Sequence, residues 1–205
     1  MPGMDFSNTT SLSDRRLRAL FEEGADGWAT GRLVVRVRYS RGADFSGTCL
    51  YARRRIYINI GRHLRFPYRM TTYLAKAVRR GRTWYRPAYV MPLQDGCQLA
   101  CFLFMHELYH LLVKRAGRNT RQKEAMCDRF AARFLADRFG VPVLDSGGRP
   151  VPRERWEFQD LDGFVEAARD KRTVRSRAAR LPVAVSKGAE PGGQLPLFSS
   201  DGSWG

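Results

Sequence analysis

The spacing of apolar positions changes along this chain, and each change predicts an element. From Ser13 to Phe21 the pattern is that of a short amphipathic helix, capped by Ser11 or Ser13 and broken by Gly24, Gly27 and Gly31. Leu33 to Tyr39 is strand-like, as are Thr48 to Tyr51 and Arg55 to Ile60, these last two joined by a tight arginine-rich turn. Tyr68 to Arg80 predicts another helix, and Trp84 to Val90 an extended segment ending at Pro92. A long apolar run follows, Leu99 to Met105 and then Leu111-Leu112-Val113, which predicts a mostly buried helix. A second helical pattern starts at Glu124, with Phe130, Ala131, Phe134 and Leu135 on its apolar side. This order predicts an α+β domain over residues 1–140, a small twisted sheet followed by two helices.

Past Gly140 the composition shifts to Pro, Gly, Ser and Arg, with Pro142, Gly147-Gly148, Pro150 and Pro152 marking a linker. Trp156 to Arg180 is expected to form one helix, acidic first and basic later, an order that suits the helix dipole without any partner. Residues 141–181 are therefore read as linker and helix, and 182–205 as a disordered tail.

Inside the long apolar run stands His106-Glu107-Leu108-Tyr109-His110, an H-E-x-x-H pentapeptide. Histidines four apart on a helix point the same way, so both imidazoles can reach one metal ion, and Glu107 projects beside it, where zinc peptidases place the base that activates water. The alternative is a pair of core histidines bonded to backbone carbonyls; burying two imidazoles and a carboxylate without a metal costs several kcal/mol, roughly, which argues against it. A catalytic zinc needs a third protein ligand and an open position. Downstream, Glu124 and Asp128 lie one turn apart at the head of the second helix: Glu124 would complete the coordination, and Asp128 would accept the N–H of a ligand imidazole and hold its tautomer. A solvated helix face is the plain alternative for that pair.

The segments MHELYHLL and EAMCDRFAARFL resemble the gluzincin zinc metallopeptidases in their minimal form, as in the ImmA/IrrE-like and SprT-like peptidases. The second segment resembles that family's glutamate-bearing helix, except that Cys127 stands where alanine is commoner. The resemblance covers roughly residues 98–136. It implies a minimal zincin-like fold, Zn2+ held by His106, His110 and Glu124, Glu107 as general base, and an edge strand that pairs with an extended peptide substrate. The third histidine and zinc ribbon of the SprT-like branch are missing.

Charge changes the picture of partners. The chain carries net +16, and between Arg32 and Arg86 fifteen Arg or Lys face a single acid, Asp44. Aromatic residues are interleaved there, a mixture that suits phosphates and bases, so Arg53, Arg54, Arg55, Arg62, Arg65, Arg69, Arg79, Arg80 and Arg82 are expected to contact nucleic acid, DNA first. GC-rich codons would account for 31 of the 36 basic residues being arginine, yet not for the shortage of acids. In the tail, Gln194-Leu195-Pro196-Leu197-Phe198 resembles the Q-L-x-L-F peptide by which bacterial replication and repair proteins hold the sliding clamp, with Gln194 as polar anchor and Leu195, Leu197 and Phe198 as pocket fillers.

The four cysteines form no C-x-x-C pair and read as small core residues in a reducing cytoplasm. The N-terminus lacks a basic start followed by an apolar stretch, and no segment is expected to span a membrane. Together these features predict a cytoplasmic zinc metalloprotease acting on DNA-associated proteins, similar in layout to the Spartan-type repair proteases. Two rivals are a regulatory peptidase that cleaves a repressor or antitoxin, and a non-enzymatic DNA-binding module with a structural metal.

Overall fold

The computed structural model describes residues 3–121 and 123–166. The elements, in chain order, are β1 (Asp5–Asn8), α1 (Asp14–Ala25), β2 (Val34–Tyr39), β3 (Phe45–Leu50), a 3-10 turn (Tyr51–Arg53), β4 (Arg55–Ile60), β5 (Tyr68–Thr72), β6 (Val78–Arg80), β7 (Thr83–Tyr85), β8 (Tyr89–Leu93), α2 (Gly96–Arg115), α3 (Glu124–Phe139) and α4 (Arg153–Trp156). A further helical stretch begins at 161. The architecture is mixed α+β, as expected. The Q-L-x-L-F peptide and most of the helix expected over 156–180 lie outside the described residues.

Four strands form the main sheet in the order β1-β2-β4-β3. β1, β2 and β4 run parallel, and β3 returns antiparallel to β4 as one edge. Alternation sets the sheet's buried face: Val35 and Val37 of β2 and Ile56, Ile58 and Ile60 of β4 point into the core while the residues between them do not.

Against that face lies α2, with 17 of its 20 residues buried. Asp95 starts it by accepting from the Gln98 backbone N–H at 2.8 Å, and the Gln98 side chain reaches back to the Gln94 N–H at 2.8 Å. Lys114 and Arg115 in the last turn complement the helix dipole. α1 and α3 flank it. α1 begins at Ser13, whose hydroxyl accepts from the Arg16 N–H, and it runs on through Gly24 rather than breaking there. The reason is contact: a Cβ at Gly24 would meet the Met105 sulfur, so the bare glycine lets α1 close on α2. By length and composition α2 is apolar enough to cross a bilayer, contrary to expectation, but 89% of that stretch is buried inside the protein itself.

The expected helix over Tyr68 to Arg80 is instead β5, a short connection and β6. β5 pairs antiparallel with β8, and β6 pairs with β7 in a separate hairpin. The extended segment after Trp84 continues through Pro92, which sits within β8 opposite Arg69. Beyond Gly140, which ends α3 in the left-handed conformation at φ 65°, the chain does not leave the domain. Leu144 bridges to Val90, and Val141, Val143, Trp156, Leu161 and Val165 join the same core as α2. The helix expected to start at Trp156 is interrupted, since α4 ends at that residue.

Candidate metal centre

His106 and His110 sit in the middle of α2, where helical spacing puts them on one side, facing the first turn of α3. Their rings lie 5.0 Å apart. The Glu124 carboxylate spans both: one oxygen is 3.2 Å from His106 Nε2 and the other 3.3 Å from His110 Nε2. On the far side of the first ring, His106 Nδ1 is 2.9 Å from Asp128 Oδ1, and Asp128 Oδ2 accepts the Tyr73 backbone N–H at 2.6 Å. Asp128 therefore fixes the ring from behind and turns Nε2 toward Glu124.

Donors about 2.0–2.1 Å from a tetrahedral ion stand about 3.3 Å from one another. The two nitrogen–oxygen separations equal that spacing and are also hydrogen-bond distances; nitrogen and carboxylate donors of this kind suit a divalent ion. His106, His110 and Cys127 also form a group able to hold a metal ion, their donor atoms lying within 4.8 Å of one another. Cys127 went unrecognised in the sequence as a donor, although a cysteine among ligand-type residues was the signal. It is fully buried, and burial followed by the nearby carboxylates pushes its thiol far up, whereas the Glu124 carboxyl is held below its ordinary range by its bond to His106. Glu124 reaches both Nε2 atoms, and the Cys127 thiol lies within the same small group, so the two are alternative third donors.

The two rings differ in their tendency to take a proton. Burial works against a charged His106, but Asp128 and Glu124 outweigh it and raise its pKa to about 9. His110 goes the other way, lowered by burial and by its charged neighbour. Its Nδ1 is buried without a hydrogen-bond partner among the described residues, so nothing equivalent to Asp128 fixes the second ring.

Glu107 lies against the edge strand. A Cβ on Gly47 of β3 would stand 2.5 Å from Glu107 Oε1, so only glycine lets the strand pass this closely. Burial pushes the Glu107 carboxyl upward, an effect that His106 and the nearby Cys49 backbone N–H partly offset. Gly47 and Cys49 were not anticipated; a glycine inside a strand pattern was the available signal.

The nine arginines expected to meet nucleic acid are spread over the turn before β4, the start of β4, the loop after it, β5 and the β6–β7 hairpin. All are exposed except Arg55, which is half-buried and donates to the Tyr57 hydroxyl at 3.1 Å. Arg62 stacks 4.4 Å from the Tyr39 ring and Arg80 4.5 Å from that of Tyr85. Of the nine, Arg55 is the one whose guanidinium is partly engaged within the sheet. No known protein family, curated protein or solved structure matches this chain.

Proposed function

We propose that the chain is a metal-dependent peptidase, with zinc as its ion and proteins held on nucleic acid as its substrate class. The observation that carries this reading is the clasp of Glu124 across both histidine Nε2 atoms, with a buried carboxylate, Glu107, one residue from the first ligand. His106, His110 and Glu124 would hold the ion, leaving a coordination position for substrate. When bound, zinc supplies Lewis acidity, polarising a carbonyl and making water a nucleophile at neutral pH.

The protein's own groups do the rest. Glu107, its carboxyl pushed upward by burial, takes the proton from the attacking water and delivers it to the leaving amine. Asp128 holds the His106 ring so that its Nε2 keeps one direction through the cycle. Among the described residues β3 has β4 on one side only, and its free edge would offer main-chain hydrogen bonds to an extended peptide passing over Glu107. The excess of basic residues draws substrates from among proteins on polyanions.

Metal analysis of the purified protein, followed by incubation with a DNA-bound protein substrate with and without the DNA, tests the reading. Glu107→Gln is expected to keep the wild-type metal content and to lose turnover by several orders of magnitude, roughly. A protein without metal, or an E107Q variant with full function, sinks the peptidase account; the second result is the one a structural metal would give.

A further inference from the structure

Between β5 and β8 the chain runs out into the β6–β7 hairpin, turned at Gly81 with φ 60°. All six of its strand residues are exposed. Isolated two-stranded ribbons are marginal in water, and this one displays Trp84 at 73% exposure and Tyr85 at 43%, with Tyr73 at 61% near its root. Lys76, Arg79, Arg80, Arg82 and Arg86 belong to the same stretch of chain, and no acidic residue occurs between Asp44 and Asp95.

Register decides how rings and charges combine. Arg79 pairs with Trp84 and Val78 with Tyr85, so each face of the ribbon carries one aromatic ring together with an arginine. Arg80 is stacked 4.5 Å over Tyr85, whereas the Arg79 Nε is turned to the Gly81 carbonyl at 2.9 Å and the indole of Trp84 stays open. The root is anchored. Arg86 donates to the carbonyls of Tyr73 and Ala75, Arg129 donates to that of Leu74, and the Tyr73 N–H is held by Asp128.

We propose that this hairpin is a binding arm for single-stranded nucleic acid: the Trp84 indole stacks on an unpaired base, and Arg79 and Arg82 meet the flanking phosphates. An open ring among cations suits a base whose face is free, which a duplex hides in its own stack. A membrane surface suits it less, because neither face of the ribbon is free of arginine. The inference rests on the nucleic-acid half of the proposed function and not on its metal chemistry. Anchoring at Asp128 sets the arm beside the candidate centre, so a protein carried on the bound strand is presented near Glu107.

Fluorescence anisotropy with the full chain tests it, using a labelled oligothymidylate, a duplex of equal length, and vesicles of phosphatidylcholine and phosphatidylserine. Expected results are tighter binding of the single strand than of the duplex, a loss on the order of tenfold in Trp84→Ala, and recovery of most of that loss in Trp84→Phe. Removing Arg79 and Arg82 should flatten the salt dependence of binding by about 0.7 log units per log unit for each arginine. Oligonucleotide binding unchanged in W84A, with duplex bound equally well, overturns the arm and leaves the polyanion reading standing. Binding of neither nucleic acid overturns both, as does W84A-sensitive binding to vesicles alone.

Discussion

Gly47 has no side chain at the one point where a side chain would collide with Glu107. In Gly47→Ala the new methyl group presses on Oε1, Cγ and Cδ together, so the carboxylate must move as a whole. Displacement of a reacting group by about 1 Å can cost about 100-fold in rate. G47A is therefore expected to lower turnover by roughly that factor while metal content stays at the wild-type level, measured by hydrolysis assay and metal analysis side by side. The rivalry between Glu124 and Cys127 also belongs to single residues. Glu124→Ala should strip the metal under mild chelation and Cys127→Ala should keep it; a cobalt-substituted protein with a strong thiolate charge-transfer band would reverse that assignment. The histidine pair was legible in the sequence because i, i+4 geometry is local, fixed by the helix alone. The approach of Gly47 was not, because it depends on a strand 60 positions away from its target.

Among elements, the segment from Tyr68 to Arg80 shows why local pattern misleads. Tyr68 to Thr72 alternates in burial as a strand should, but Leu74, Ala75, Lys76 and Ala77 are ordinary helix formers. What keeps them from coiling is tertiary: the carbonyls of Tyr73, Leu74 and Ala75, which a helix would pair along its own axis, are taken by Arg86 and Arg129. Arg129 is only 3% exposed, and burial pulls its pKa down to about 10, so its fork of donors works in a dry environment. Arg129→Met removes those donors and strands the Leu74 carbonyl; a loss of about 1–3 kcal/mol is expected in urea unfolding. The strands β2 and β4 could be read from sequence because their apolar alternation agrees with their propensities, and α2 because its apolar run is too long for a strand.

For the whole molecule, the decisive correction is that the domain continues past Gly140. Pro and Gly in this stretch mark turns, not an exit, since the apolar residues between them return to the core. The Tyr109 hydroxyl donates to the Leu161 carbonyl at 3.0 Å, and Arg133 forks onto Asp162, tying 157–162 to α2 and α3. Trp156→Ala, at a position 3% exposed, should cost about 3–5 kcal/mol, read as a lower urea midpoint. A chain cut at 140 should lose cooperative unfolding. The enclosure of α2 by two helices and a sheet has a further effect. Its amide protons can trade with deuterium only when the entire structure opens, whereas those of the β6–β7 ribbon meet solvent through small local excursions. His106, Glu107 and His110 are thus expected to stand on slowly exchanging backbone, and the residues proposed for capture on backbone that exchanges fast.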